Sequence, residues 1–196
     1  MSTHAEVAAS PIVQEAVPAL AYLASHIGDP HVRHRGTIGG SVANNDPAAD
    51  YPSACLALGA TIVTNKRKIE ADAFFTGLYE TALEEGEIIT RIAFPVASKA
   101  GYAKFRNPAS RYALVGVFVA KRGSDVRVAV IGAGEGGVFR WAEGEAALKT
   151  RFAPKSLDGV KASAKGINAD MHADAEYRAH LIGVMAKEAV ARAVGK

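Results

Sequence analysis

The sequence has one cysteine in 196 residues, few aromatics (7%), and no hydrophobic run approaching the ~18 residues of a membrane-spanning helix. A single cysteine, Cys55, forms neither an internal disulfide nor a cysteine-rich metal site. It lies in an alanine- and leucine-rich stretch and reads as a small buried apolar residue, as expected in a reducing, cytosolic compartment. The opening residues, MSTHAEVAAS, lack a basic region followed by an apolar block, so no secretory signal is expected there. The net charge is only +3 and the basic residues are scattered. The longest basic run, Lys66-Arg67-Lys68, falls at a hairpin turn, and no basic stripe with interleaved aromatics points to nucleic acid. No serine–histidine–aspartate order or nucleophile elbow, no internal repeat and no low-complexity tract is evident.

What is present is a half-hydrophobic chain (49%), long enough for one large domain or two small ones with an α/β mixture. Ser10-Pro11 opens a helical stretch in which Ile12, Ala16, Ala19, Leu20, Leu23 and Ile27 fall near one face. Pro18 should kink or restart it, and Gly28 and Pro30 should stop it. After residues 35–51, RGTIGGSVANNDPAADY, Asp46-Pro47 reads as an N-cap and N1 pair opening a helix PAADYPSACLALG that Gly59 ends. ATIVTN and RKIEA form a hairpin pattern, ADAFFTGLYETAL is a short helix or irregular segment, and EIITRIAFP is the clearest strand of the first half. A composition shift follows at VASKAG, residues 96–101. Three strand-like runs come next: GYAKFRNPA, YALVGVFVAKR and DVRVAVIGAG. The Gly123-Ser124-Asp125 turn makes the last two antiparallel neighbours. After Phe139 the pattern becomes helical in AEGEAALK, APKSLDGVKASA and AEYRAHLIGVMAKEAVARAV.

Two motifs are weighed and set aside. Gly132-x-Gly134-x-x-Gly137, with Asp158 about 20 residues on, spells a dinucleotide fingerprint. That chemistry requires a helix immediately after the glycines, whereas VFRW reads as another strand, so a turn between antiparallel strands is expected. His172, Glu176 and His180 are four apart, but the helix start falls among them, and a solvated helix face is the default. His31 and His34 are expected to be hydrogen-bonding loop residues, and Tyr112 an aromatic at the start of a strand.

The segment 35–51 admits two physical accounts. In one, consecutive N–H groups from Thr37 to Ser41 form an anion-binding nest, the Thr37 and Ser41 hydroxyls donate, and Asn44, Asn45, Asp46 and Asp50 meet sugar-like hydroxyls. In the other it is a helix-capping loop with Asp46 as cap. The residues alone leave both open.

The run H-x-R-H-R-G-T-I-G-G-S-V-A-N-N-D-P-A-A-D-Y-P, residues 31–52, closely resembles the second FAD-binding motif of the molybdenum hydroxylase flavoproteins. These are the medium subunit of aerobic carbon monoxide dehydrogenase and the FAD part of xanthine dehydrogenase. The resemblance continues through EIITRIAFP and YAKFRNPASRYALVGVFVA to the last helix, and the carbon monoxide dehydrogenase type is the nearer. It implies an α+β chain in two parts. Residues 1–97 would be the second FAD-binding subdomain of the PCMH-type fold, and residues 101–196 a three-stranded antiparallel sheet with helices.

The resemblance also implies a cofactor and a site. FAD would be contacted at its phosphates by Thr37, Ile38, Gly39, Gly40 and Ser41, and at its sugar-like part by Asp50. The backbone of Ile89 would meet the flavin ring, Arg106 would lie near the isoalloxazine, and Tyr112 would shield one ring face. Partner subunits would carry the rest of an oxidoreductase: a large subunit with molybdopterin and a small subunit with 2Fe-2S clusters, arranged as a dimer of heterotrimers in the cytoplasm. Electrons would leave the flavin for a quinone or NAD. Family members also have a preceding subdomain with its own glycine-rich loop that grips the FAD pyrophosphate. No such loop precedes residue 28, so a chain lacking that subdomain is expected, and a structural or assembly fragment that binds no FAD is the alternative function.

Overall fold

The computed structural model describes residues 1–195; Lys196, the last residue of the expected second part, lies outside the described residues. The first half begins with four short helices: α1 (His4–Ala9), α2 (Pro11–Ala16), α3 (Pro18–Ser25) and α4 (Pro30–Arg35). Helix α1, not anticipated from the sequence, starts at a capping box in which Thr3 and Glu6 each bond the other's backbone N–H. Pro18 restarts the chain rather than kinking it, because Val17 leaves helical geometry (φ −143°, ψ 73°). The expected apolar face therefore does not run continuously, and Ile12 is left 77% exposed. Pro30 does not stop a helix but opens one. It has no N–H to lose in a first turn, and Asp29 caps Val32 N at 2.9 Å.

Helix α5 (Ile38–Asn44) and helix α6 (Tyr51–Leu58) follow. Thus the TIGGS segment is a helix start rather than a loop nest. The Asp46-Pro47 pair is a turn rather than a helix start: Asp46 Oδ1 accepts Ala48 N at 2.8 Å and Asp46 O accepts Ala49 N. The reason is Pro52. A helix running from Pro47 would place Pro52 in its interior, where the ring clashes with a preceding carbonyl; a start at Tyr51 puts Pro52 in the first turn.

Strands β1 (Thr61–Thr64) and β2 (Lys68–Glu70) form the expected hairpin, and β5 (Ile89–Ala93) adds to its other side in the order β2-β1-β5. Between β2 and β5 lie the single turn α7 (Ala71–Phe74) and a small hairpin, β3 (Phe75–Gly77) with β4 (Glu80–Thr81).

The second half is an antiparallel sheet of β6 (Lys99–Arg106), β7 (Ala113–Arg122), β8 (Asp125–Ile131) and β9 (Phe139–Arg140), in that order. It has four strands where three were expected, because VFRW supplies the short β9. The GAGEGG run is the connection between β8 and β9, so no helix follows those glycines. Helix α8 (Ala142–Thr150) and the long helix α9 (Ala175–Ala193) cover one face. APKSLDGVKASA, expected to be helical, makes only a 3-10 turn at Pro154–Leu157.

Strand β7 explains the architecture. Eight of its ten residues are buried, from Ala113 to Ala120, because both sheet faces are covered. Val115, Val117 and Val119 meet Ile182, Met185, Ala186 and Val190 of α9. Phe118 and Ala120 face the first half, in one cluster with Leu23, Tyr51, Cys55 and Leu58. Each such large side chain contributes roughly 1.5–3 kcal/mol on burial. Arg178 of α9 adds a polar tie, donating to Leu114 O (2.7 Å), Gly132 O (2.9 Å) and Asp170 Oδ2 (2.6 Å).

The approach of α9 to β6 depends on Gly101: a Cβ there would lie 2.0 Å from Ala189 O. Gly101→Ala is expected to lose about 1–3 kcal/mol of stability through overpacking, read as a lower denaturation midpoint with an unchanged slope.

Candidate functional site

The segment Gly36–Ile38 runs beside Ser2–His4, with His4 N donating to Gly36 O (3.0 Å) and Ile38 N to Ser2 O (3.1 Å). This pairing fixes the entry to α5. Thr37 then caps the helix, its Oγ1 accepting Gly40 N at 3.1 Å. Two clefts flank this helix start. One, of about 500 Å³, is lined by Thr37, Gly40, Ser41, Asn44, Asp46, Asp50 and Tyr112 among others. The second, of about 570 Å³, is lined by Ile38, Gly39 and Gly40 together with Ile88 and Ile89. Gly40 borders both.

The structure therefore brings Thr37, Ile38, Gly39, Gly40, Ser41, Asp50, Ile89 and Tyr112 to two adjoining clefts. Arg106 lines neither. It is exposed at the end of β6, where the strand register shifts between Phe105 and Arg106 and the inward–outward alternation ends. The inward positions on that strand belong to Tyr102 and Lys104.

Those two residues, which sequence reasoning missed, surround Asp50. Asp50 is 4% exposed. Oδ1 accepts from Lys104 Nζ at 2.8 Å and from the Tyr102 hydroxyl. Lys104 also donates to His26 O at 3.0 Å, and its side chain is buried. Burial pushes the Asp50 carboxyl above its usual range, against the pull of Lys104. Oδ2 has no hydrogen-bond partner among the described residues, and Asp50 lines the cleft. The available signal was a lysine two residues after Tyr102 in a strand, a spacing that places both on one face.

Asn45, weighed as a ligand for hydroxyls, has a different task. It is 1% exposed, ends α5 in the left-handed region (φ 45°), and its Nδ2 holds both Gly77 O and Glu80 O at 2.8 Å. His4, at the edge of the first cleft, has its imidazole pKa pushed down by burial and then by Arg33. It lies 5.3 Å from the Tyr51 ring.

The second cleft is braced by Glu87, whose carboxyl is held down to about 2 by hydrogen bonds from Arg67, then Thr64, then the Glu84 backbone. Asn65 Oδ1 receives Ile88 N at 2.9 Å, so the backbone entering β5 is tied from both sides. His172 precedes α9, leaving only Glu176 and His180 on the helix. Among the described residues no group of three histidine, cysteine or acidic side chains is placed to hold a metal. Cys55 is buried, which pushes its thiol up and leaves it protonated.

Lys104→Met leaves a buried carboxylate without its cation and is expected to lose about 3–5 kcal/mol at neutral pH. Asp50 has a folded-state pKa above its ordinary 3.8, so it favours folding below that value and loses this as pH rises. The deficit of Lys104→Met should thus shrink in acid, and adding Asp50→Asn should restore most of it at neutral pH. Denaturant titrations in acid and at neutral pH check both.

Comparison with known proteins identifies the family. Residues 1–97 match the model of the FAD binding domain in molybdopterin dehydrogenase. The chain is 36% identical to the nicotine 6-hydroxylase medium subunit of Paenarthrobacter nicotinovorans, across 98% of this chain and 73% of that one. It is 31% identical to the carbon monoxide dehydrogenase medium chain of Hydrogenophaga pseudoflava, across 97% and 71%. A solved carbon monoxide dehydrogenase from Oligotropha carboxidovorans superposes with a TM-score of 0.86 at 29% identity, covering 98% of this chain and 73% of that one. The α+β chain belongs to the molybdenum hydroxylase family, as one of its FAD-binding medium subunits, a component of oxidoreductase complexes.

Proposed function

We propose that the chain holds FAD across the start of α5 and relays electrons from a partner's 2Fe-2S clusters to an external acceptor, a quinone or NAD. The observation that carries this is the set of donors turned toward the clefts. Gly39 N–H and the Ser41 hydroxyl have no hydrogen-bond partner among the described residues. A Cβ at Gly39 would meet nothing within 4 Å, so the backbone stands open to a bulky group. These donors suit phosphate oxygens. The free Oδ2 of Asp50 suits a sugar hydroxyl, and Thr37 keeps Gly40 N occupied so that the helix start stays rigid. Ile89 lines the second cleft, on the far side of the α5 start from Tyr112. The residues fit the cofactor.

When bound, FAD supplies the two-electron chemistry; the chain's contribution is binding, orientation and exclusion of water. Thr37 through Ser41 fix one end, Asp50 orients the middle, and the half-exposed Tyr112 covers the cleft mouth. Arg106, exposed beyond them, is assigned an electrostatic role toward the ring. We assign residues 1–97 to the flavin-binding part and 101–196 to the supporting sheet. The complex would include the molybdopterin and iron–sulfur subunits as a dimer of heterotrimers in the cytoplasm. Among the described residues no helix is long and apolar enough to cross a membrane.

The test is titration of the purified chain with FAD, followed by its visible absorption. Saturable binding with flavin bands is expected, and a chain that ignores added FAD would sink the proposal. Ser41→Ala removes one hydrogen bond to the ligand and no bond within the fold, so affinity should fall roughly 3- to 10-fold with the melting temperature unchanged.

A further inference from the structure

Among the described residues three non-glycine positions have positive φ: Asn45 (45°), Tyr79 (56°) and Arg111 (64°). Each adjoins a residue that lines the first cleft: Asn45 follows Asn44, Arg111 precedes Tyr112, and the Tyr79 hydroxyl reaches Asp46. Asn45 clamps Gly77 O and Glu80 O, the residues on either side of Leu78-Tyr79. Left-handed backbone is unfavourable for a bulky side chain, and such strain persists where surrounding structure enforces it.

Tyr79 is the case with no structural explanation. It is 57% exposed, so it does not serve the core. Its turn would form more readily with glycine or asparagine. Yet Asn45 holds the carbonyls of Gly77 and Glu80 that flank its turn, and the Tyr79 hydroxyl donates to Asp46 Oδ2 at 3.3 Å. Asp46 in turn is fixed by Ala48 N and lines the same cleft as Tyr112. The Asp46 carboxylate, then partial burial, raises the phenol pKa, and the nearby Tyr112 adds to this, so Tyr79 stays a neutral donor. Two half-exposed tyrosines thus stand at one rim, each delivered by strained backbone.

We propose that Tyr79 is a ring-contacting residue: with Tyr112 it forms the aromatic rim that positions the planar heteroaromatic ring of the bound ligand, its phenol aimed by Asp46. This rests on the FAD proposal, which makes that ring the flavin. An offset or edge contact with an aromatic plane gives the rim its affinity. An electron-rich phenol in contact with a flavin also quenches its emission.

The experiment compares wild type, Tyr79→Gly and Tyr79→Trp by FAD titration, emission of the bound flavin and thermal melting. Glycine accepts φ 56° without strain, so Tyr79→Gly should melt at or above the wild-type temperature. It should nevertheless bind FAD roughly 3- to 10-fold more weakly, with emission severalfold brighter. Tyr79→Trp should keep the bound flavin dark. If Tyr79→Gly binds FAD with wild-type affinity and emission, the assignment of Tyr79 is overturned while FAD binding stands. If the wild-type chain binds no FAD, the cofactor proposal fails and this one with it.

Discussion

The buried pair Asp50–Lys104 ties the site to the fold. Asp50 stands at the head of α6 without capping it; its side chain turns inward instead. Lys104 and Tyr102 reach it from β6, more than fifty residues later in the chain. Two charges taken out of water cost several kcal/mol each, and their attraction compensates only when geometry and further hydrogen bonds are good. Here Lys104 has His26 O as a second acceptor, and Asp50 Oδ1 has the Tyr102 hydroxyl as a second donor. The pair therefore specifies one docking of the first half on the sheet. The same carboxylate presents its other oxygen toward the cleft.

The apolar core makes that docking possible. A sheet solvated on one face could not bury a lysine beside a carboxylate. The central strand β7 has helix α9 on one side and the first half on the other, which leaves β6 covered where Tyr102 and Lys104 point inward. Around this rigid centre, strain is collected beside the cleft: Asn45, Tyr79 and Arg111 each adjoin a residue that lines it, while most left-handed positions elsewhere are glycines in turns. Rigid support beneath and strained presentation above are what a site needs to hold a ligand in one pose.

Much of this was legible in the sequence. The β1–β2 hairpin, β5, the three long strands of the second half and α9 follow from periodicity and turn residues, which act within a few positions. The motif at residues 31–52 resembles a known FAD-binding motif closely enough to name the family; it supplies six of the nine candidate residues, and the structure brings these six with Ile89 and Tyr112 to adjoining clefts. The errors have a common cause. Pro30 reads as a helix stop and Pro47 as a helix start, yet Pro30 opens α4 and Pro47 sits in a turn, because the outcome depends on which neighbouring turn the chain can complete. Thr37 looked like part of a loop because the pairing with Ser2–His4 that frames it comes from 33 to 35 residues away.

The sequence by itself determined the element types, the α+β class and the family, because hydrophobic period, turn chemistry and a long motif are local properties. Only the tertiary structure decided that Lys104 and Tyr102 face Asp50 while Arg106, past the register shift at Phe105–Arg106, is exposed. It also decided that Asn45 braces the hairpin carrying Tyr79 instead of meeting a ligand. These are long-range contacts between segments with no shared local pattern, and they form only when burial on both faces of β7 brings the two halves together.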